Sequence, residues 1–173
     1  TNPNHRDSYF PGSNGRSPYN LFHLDAMYDL LQHTYLDASL CGTRAANECG
    51  TLCSMVDRSK ISNALLIADR GYESFNLMAH IQEKGWCFLI RIRDTGIFSA
   101  LDLPETEEFD FFVDLSLTRK QTNEVKLLFR DRNHYRLIPA SHTFDYLPKK
   151  NRKHEPAIFY KLPFRVVRFR LTD

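Results

Sequence analysis

The 173-residue sequence lacks long apolar runs, paired cysteines and repeats. No stretch approaches the roughly 20 apolar residues that a membrane-spanning helix needs, so we expect no membrane partner. No internal repeat or low-complexity tract occurs, which argues against solenoid and disordered classes. The 42% hydrophobic and 25% charged content instead indicates a globular protein with a core of ordinary size.

Cysteine is also scarce, and the sequence contains only Cys41, Cys49, Cys53 and Cys87. Cys49 and Cys53 are four residues apart on a predicted helix, a spacing that could ligate a metal ion. The sequence has no CxxC pair and no nearby histidine at a zinc-like spacing. We therefore expect buried free thiols in a cytoplasmic protein rather than a metal site.

The net charge of +2 hides an asymmetry between the two parts of the chain. Residues 1–118 contain 9 basic and 16 acidic side chains, a net charge of −7. Residues 119–173 contain 14 basic and 5 acidic side chains, a net charge of +9. This split favours an anionic partner for the second part, with nucleic acid as the first candidate. The alternatives are a solvated basic surface, or cations that neutralise the acidic first part.

Alternation of apolar and polar residues predicts two strands, over 20–31 and 34–40, joined as an antiparallel hairpin at Gln32-His33. In the first strand, the apolar set expected to face the core is Phe22, Leu24, Ala26, Tyr28 and Leu30. The opposite face carries His23, Asp25, Met27 and Asp29 and is mostly polar. In the second strand, the expected inward set is Leu36, Ala38 and Leu40, and the outward set is Tyr35, Asp37 and Ser39.

The next segments alternate between helix and strand. Apolar residues at helical spacing predict a helix over 47–58, and the unbroken run over 64–68 predicts a strand buried on both faces. Ser74 is a predicted N-cap for a helix that ends near Lys84, with Gly85 as its C′ residue. Residues 86–93 form a further predicted strand. Hairpin, helix, strand, helix and strand together indicate a mixed α/β sheet.

Asp69 stands where a buried strand ends and a helix is about to begin. In open α/β sheets, ligands bind at the carboxyl ends of the strands, so a carboxylate there can hold a metal ion or a proton. The alternative, with about equal weight, is that Asp69 only caps the next helix.

Beyond residue 94 the pattern changes. Residues 105–114 form an acidic segment with several phenylalanines, and short strands are predicted over 125–129, 135–138, 157–162 and 164–171. Between them lies a basic loop, residues 149–154. The sequence thus predicts a β-rich subdomain after the α/β part.

The motif LIADRGYES at residues 66–74 and the strand FLIRIRD at residues 88–94 resemble the DDE transposases of bacterial insertion sequences. The match is to the cut-and-paste group whose second aspartate lies in an Asp-Arg-Gly-Tyr context. HLDAMYDLL at 23–31, YLDA at 35–38 and the Asn47-Glu48 helix start are similar to this group as well. The resemblance covers about residues 19–94, and beyond that it rests on the position of a β-rich insertion.

The resemblance implies a ribonuclease H-like mixed sheet with helices over residues 1–96, followed by a β-rich insertion subdomain over 97–173. It implies two divalent metal ions, Mg²⁺ or Mn²⁺, bound by two aspartates and a glutamate, and Asp69 matches the second aspartate. The first aspartate and the third carboxylate have no match, and the chain opens on Thr1 rather than Met. We therefore expect a piece of a longer protein, without its first core strand and last helix, and inactive by itself.

The implied activity is cleavage of DNA at transposon ends and strand transfer into target DNA, with a homodimer in the synaptic complex. The alternatives are a nuclease of the same fold without strand transfer, and a non-catalytic DNA-binding transposase remnant. The candidate DNA-binding residues are Arg70, Arg91, Arg93, Lys149, Lys150, Arg152 and Lys153.

Asp25 is an alternative first carboxylate. A solvated or loop-bonded role is favoured by roughly three to one, because Asp25 lies on the polar side of its predicted strand. Arg70 is expected to bind phosphate or to stabilise the turn, since arginine does not deprotonate. Tyr72 is expected to pack rather than stack on DNA bases, and His80 is treated as having no function.

Overall fold

The computed structural model describes residues 1–93, 95–96, 99, 101–149 and 155–170. In the first half of the chain, the elements are β1 Tyr9–Phe10, β2 Tyr19–Asn20, β3 Phe22–Asp29, β4 Thr34–Gly42, α1 Glu48–Arg58, β5 Leu65–Ala68, α2 Phe75–Glu83 and β6 Cys87–Ile90. In the second half they are β7 Phe109–Thr118, α3 Asn123–Leu128, β8 Tyr135–Leu137 and β9 Tyr160–Arg168. Among the described residues, no helix is both long and apolar enough to cross a membrane.

The predicted hairpin is confirmed. β3 and β4 pair antiparallel from Phe22 opposite Gly42 to Asp29 opposite Thr34, with an irregularity after Met27. The turn between them contains His33 at a φ of 54°. The Asp29 side chain closes this turn by accepting hydrogen bonds from the Leu31 and Gln32 amides.

The face of this hairpin that packs on the protein is the polar one, so the predicted orientation is wrong. In β3, Asp25 is buried and His23 and Met27 are half-buried, whereas Leu24 is 64% exposed. β4 is inverted in the same way, because Asp37 is half-buried and its apolar neighbours are exposed. The reason is that α1 lies against this face and offers polar partners to it.

Both predicted helices are confirmed, with their caps. The Asn47 side chain accepts a hydrogen bond from the Gly50 amide at the start of α1. The Ser74 hydroxyl accepts one from the Leu77 amide at the start of α2. Gly85 follows α2 at a φ of 75°, a backbone conformation that glycine adopts without strain.

β5 and β6 pair in parallel, as the order of elements predicts. The expectation that β5 is buried on both faces is wrong, because Leu66 is buried while Leu65 and Ile67 are 57% and 56% exposed. β6 shows the same alternation, with Leu89 exposed. One face of this two-stranded sheet packs on the helices and the other is open.

The second part contains a three-stranded sheet in the order β8-β7-β9, with β8 parallel and β9 antiparallel to β7. The strand at 135–138 is confirmed as β8, but β7 was not predicted. The two strands predicted over 157–162 and 164–171 are one strand, β9, within the described residues. The predicted strand over 125–129 is wrong, because Thr122 caps α3 by accepting from the Val125 amide.

Candidate active site

The Asp69 turn, which we define as residues 69–72, follows β5 directly. Asp69 is the N-cap of a short 3-10 helix, and its Oδ1 accepts a hydrogen bond from the Gly71 amide at 2.8 Å. The capping interpretation is therefore correct for one oxygen. The side chain is exposed at the carboxyl end of a parallel strand, and Oδ2 accepts no hydrogen bond from the described residues. That oxygen is available to a ligand.

The N-terminus of α1 lies against the Asp69 turn. A Cβ atom on Gly71 would stand 3.0 Å from Asp69 Oδ1 and 3.6 Å from Glu48 Oε2. The two carboxylates thus approach the same point, and glycine leaves room for them. The Cys49 thiol also donates to the Gly71 carbonyl, with 3.6 Å between sulfur and oxygen. Glu48 is consequently a neighbour of Asp69.

His23 and Asp25 approach Glu48 from β3. His23 Nε2 lies 3.1 Å from Asp25 Oδ1 and 3.6 Å from Glu48 Oε1. Asp25 is only 6% exposed, and its Oδ2 is buried with no hydrogen-bond partner among the described residues. The expectation of a solvated Asp25 is therefore wrong. The polar face of β3 places it inside the protein.

Tyr72 lies near the carboxylates of Asp25, Glu48 and Asp69, which together we call the acidic neighbourhood. Burial raises the pKa of its hydroxyl, and the negative charges of Asp25, Glu48 and Asp69 raise it further. The ring packs against the apolar cluster beneath α1, as expected for a packing residue. The Tyr72 hydroxyl therefore lies close to three carboxylates.

The three predicted arginines lie around the same edge. Arg70 is exposed within the Asp69 turn. The Arg91 amide donates to the Ala68 carbonyl at 3.1 Å, which extends the β5–β6 pairing to the residue before Asp69. The Arg93 amide donates to Glu73 Oε2 at 3.1 Å. Arg91 and Arg93 are both exposed, so cations stand beside the acidic neighbourhood.

The basic loop is only partly described. Lys149 is exposed, whereas Lys150, Arg152 and Lys153 lie outside the described residues. The pKa of Asp145 is held below its usual range by hydrogen bonds from Asn76 and His80, and to a smaller degree by the charge of Lys149. Lys149 is thus near the loop that docks on α2.

A second polar cluster surrounds His80, which sequence reasoning treated as having no function. His80 Nδ1 lies 2.8 Å from Asp57 Oδ1 on α1, and Nε2 lies 3.0 Å from Asp145 Oδ2. The Tyr146 hydroxyl is 3.2 Å from Nδ1. Asn76 donates to Asp145 Oδ2 and accepts from its amide. This cluster joins the two helices to the second part of the chain.

The donor chemistry of the Asp69 neighbourhood suits a hard divalent cation, because carboxylate oxygens are the ligands that Mg²⁺ prefers. Within residues 1–93, 95–96, 99, 101–149 and 155–170, however, no three His, Cys, Asp or Glu side chains converge closely enough to hold an ion. The Cys49–Cys53 spacing therefore forms no such site there. The four thiols are free, but only Cys53 is buried, and Cys87 is exposed.

Comparison with protein families decides the class of the protein. The family model of the transposase DDE domain matches residues 2–156. The chain belongs to the DDE transposase family. No curated protein and no solved structure gives a significant match. The family match extends well beyond residues 19–94, on which the resemblance in sequence rests.

Membership of the DDE transposases indicates an enzyme that acts on DNA and uses divalent metal ions. It draws attention to Asp69, but His23 and Glu48 were missed near it, and Asp25 was considered only as an alternative first carboxylate. The available signal was the alternation in β3, which places His23 and Asp25 on one face. Its interpretation failed because the apolar face was assumed to be the inner one.

Proposed function

We propose that the chain forms most of the catalytic core and the insertion of a transposase that cuts DNA at the ends of an insertion sequence and joins those ends to target DNA. The observation that carries this proposal is the exposed Asp69 carboxylate at the carboxyl end of β5, within the residues that the family model matches. A homodimer is the expected assembly on DNA.

Asp69 would bind divalent metal through Oδ2, since Oδ1 is engaged by the Gly71 amide. Two metal ions in such enzymes stabilise the attacking and leaving oxygens of an in-line phosphoryl transfer. The Gly71 hydrogen bond fixes the orientation of the Asp69 side chain. Because the described residues supply one expected ligand, we expect no appreciable nuclease activity from the 173-residue chain by itself.

A ribonuclease H-like core over residues 1–96 is the architecture we propose. β3 and β5 each pair on one edge only within the described residues, and both sheets contribute to the apolar cluster beneath α1 and α2. One further strand between these free edges would join the two sheets into a mixed sheet of five strands. Residues 97–173 are then the insertion.

Arg70, Arg91 and Arg93 are the proposed contacts to the DNA backbone near the reacting phosphate. They are exposed, and none forms a side-chain ion pair with a described residue. Arginine binds phosphate well because its planar guanidinium donates two hydrogen bonds at once. These residues would orient the phosphate beside Asp69 without exchanging protons.

The test is Asp69→Asn in the full-length protein, with Asp114→Asn, an exposed aspartate of β7, as the matched control. We expect Asp69→Asn to abolish Mg²⁺-dependent cleavage while DNA affinity stays within about twofold, because affinity comes mainly from basic side chains. Near-normal cleavage by this variant would contradict the assignment. Joined products from wild-type protein would distinguish a transposase from a hydrolytic nuclease, and absent cleavage would indicate a DNA-binding remnant.

A further inference from the structure

We propose that the N-terminal hairpin, residues 9–20, is a DNA-binding element in which Arg16 contacts a phosphate and Tyr19 stacks on an unpaired base. This inference rests on the proposed function, because it assumes that the chain acts on DNA. It adds a contact surface ahead of β3 to the arginines around Asp69 and to the basic loop of the second part.

The turn of the N-terminal hairpin fixes the place of Arg16. Asn14 and Gly15 have φ values of 51° and 79°, the pattern of the tight turns that close β-hairpins. The Arg16 amide donates to the Ser13 carbonyl at 3.0 Å. The Arg16 side chain is exposed and forms no ion pair with a described residue. The tip of the hairpin therefore presents an arginine to solvent.

Tyr19 is the exposed member of a preformed ring stack. Its ring lies on the Phe10 ring, with the two centroids 5.2 Å apart and the planes 9° from parallel. The Arg44 guanidinium lies 4.7 Å from the Phe10 centroid. Phe10 is half-buried, whereas Tyr19 is 46% exposed. An exposed aromatic ring that is already held in place is the kind of surface on which single-stranded nucleic acids stack their bases.

The base of the hairpin is anchored to the protein, so the ring and the arginine have defined positions. Ser8 has no exposed surface, and its hydroxyl accepts a hydrogen bond from Asn20 Nδ2 at 2.8 Å. The Leu21 amide donates to the Ser8 carbonyl at 2.8 Å, and the Thr43 amide donates to the Leu21 carbonyl at 3.2 Å. A preorganised surface of this kind loses little conformational entropy when a ligand binds.

The hairpin is attached at the same edge of the molecule as the Asp69 turn. Its last residue, Asn20, is followed closely by His23, whose Nε2 lies 3.6 Å from Glu48 Oε1. Glu48 in turn lies beside Gly71 of the Asp69 turn. A DNA strand with a phosphate at Asp69 would therefore pass within reach of the hairpin.

The charge of the hairpin also suits DNA. Residues 8–22 include Arg16 and contain no aspartate or glutamate, although residues 1–118 as a whole are acidic. Arg44 is exposed beside the ring stack. Sites for single-stranded nucleic acid combine cations with aromatic rings in this way, because the cations bind the backbone while the rings bind the bases.

The simpler role for these residues is structural, since the ring stack and Arg44 hold the N-terminal segment on the hairpin. A structural role predicts that Tyr19→Ala lowers the melting temperature without changing DNA affinity. It also predicts no effect of Arg16→Ser on DNA binding. Thermal unfolding without DNA separates this role from binding.

The experiment measures binding of the full-length protein to a mixed-sequence single-stranded oligonucleotide, and to the duplex formed with its complement, by fluorescence anisotropy at several salt concentrations. Arg16→Ser should reduce the slope of log affinity against log salt on the duplex by about 0.9, which makes binding roughly eightfold weaker at about 0.1 M salt. Tyr19→Ala should weaken single-strand binding roughly tenfold and duplex binding less, because paired bases are already stacked. Tyr19→Phe keeps the ring and should bind like wild type.

Two matched controls remove the same residue types elsewhere. Arg130→Ser changes an exposed arginine just after α3. Tyr35→Ala changes a tyrosine that is 73% exposed in β4, near the turn between β3 and β4. Both should bind each oligonucleotide with wild-type affinity and salt slope.

Wild-type binding by Arg16→Ser and Tyr19→Ala, in a protein whose cleavage still depends on Asp69, would overturn this inference and leave the proposed function intact. If the wild-type protein binds neither oligonucleotide, the proposed function itself fails. A lower melting temperature of Tyr19→Ala with unchanged single-strand affinity would overturn the stacking role. If Tyr19→Ala does not fold, Arg16→Ser decides, because an unchanged salt slope there would overturn the hairpin as a DNA contact.

Discussion

The two parts of the molecule bury their sheets differently. In the second part of the chain, β7 carries three fully buried apolar side chains, those of Val113, Leu115 and Leu117. In the core, β5 and β6 leave Ile67 and Leu89 56% and 59% exposed. A β-sheet with one open apolar face contributes less burial per residue than one covered on that face. The second part is therefore the better-packed part of the chain, although the proposed catalytic aspartate, Asp69, lies in the first.

Helix α2 explains how the two parts stay together. Every residue from Phe75 to Ile81 is buried. Phe75 and Met78 belong to the apolar cluster around β7 and β9, whereas Leu77 and Ile81 belong to the cluster beneath β5 and β6. The helix is therefore buried between two apolar clusters, and its buried polar residues Asn76 and His80 are hydrogen-bonded. The two parts of the chain thus share a helix, and the second part is not a separate appendage.

The largest expected effect comes from truncating the buried sheet. Leu115→Ala, at a position with no exposed surface, should lower the free energy of unfolding by about 2–5 kcal/mol, because it leaves a cavity in a closed core. Leu89→Ala is the matched substitution on the open face and should cost less than about 1 kcal/mol. Chemical denaturation of the 173-residue chain measures both.

The same pair of substitutions tests the expectation that a last core helix, which the family resemblance implies, packs on the open face. In the full-length protein, Leu89→Ala should become more costly, since that helix would cover Leu89. Equal costs for Leu89→Ala in the short and full-length chains would argue that the face stays open. Equal costs for Leu89 and Leu115 in the short chain would contradict the contrast between the two parts.

An intermediate effect is expected at the contact between the parts. His80→Gln cannot reproduce both contacts, because the two N–H donors of its amide share one nitrogen, whereas His80 faces Asp57 with Nδ1 and Asp145 with Nε2. We expect a loss of about 1–2 kcal/mol in the free energy of unfolding, since both carboxylates can recover water. His142→Gln, which changes an exposed histidine, is the control and should cost nothing measurable.

The His80 contact should also depend on pH. Burial lowers the pKa of the ring, but the hydrogen bonds to Asp57 and Asp145 outweigh it and raise the pKa above the usual 6.5. The folded state therefore holds the proton more tightly, so the stabilisation is complete below pH 6.5 and declines as the pH rises through the folded value. The difference in melting temperature between wild type and His80→Gln should shrink from pH 6 to pH 9. A difference that grows would contradict the ion-pair assignment.

The elements of the core could be predicted from sequence because their signals are local. Asn47 and Ser74 are caps that act within one helical turn. The orientation of the hairpin could not, because alternation defines two faces but not which of them is covered. Asp37 faces inward because Arg58 of α1 pairs with it, and such a partner lies far away in sequence.

The secondary structure of the second part was harder to predict, because the local signals there conflict. The run from Val125 to Phe129 is apolar enough for a strand, and the helix signal is the Thr122 cap with Glu124 in its first turn. Only part of the neighbourhood of Asp69 could be predicted from the sequence. The motif identifies Asp69, but Glu48 comes near it only through the packing of α1, which no local pattern contains.

The basic character of the second part is also divided between two uses. Arg119 is buried and donates to the carbonyls of Pro139, His142 and Phe144. Lys120 is buried and donates to the Glu155 carbonyl. These cations stabilise loops and are unavailable to DNA. Arg132 and Arg165 of the second part form ion pairs with Asp102 and Asp110 of the acidic first part. The alternative that cations neutralise the acidic part is therefore correct for part of the excess charge, and the basic residues from Lys149 to Lys153 remain the candidates for DNA binding in the second part.

The smallest effect on stability should come from that loop. Replacing Lys149, Lys150, Arg152 and Lys153 with Ser should change the free energy of unfolding by less than about 0.5 kcal/mol, because we expect all four cations to be solvated. DNA binding should weaken, and each lost phosphate contact should reduce the slope of log affinity against log salt by about 0.9. Sequence preference should not change, because phosphates carry no base identity. Lys126→Ser on exposed α3 is the single-cation control. An unchanged salt slope with a lower melting temperature would assign these four cations to ion pairs with acidic residues of the first part, like those of Arg132 and Arg165.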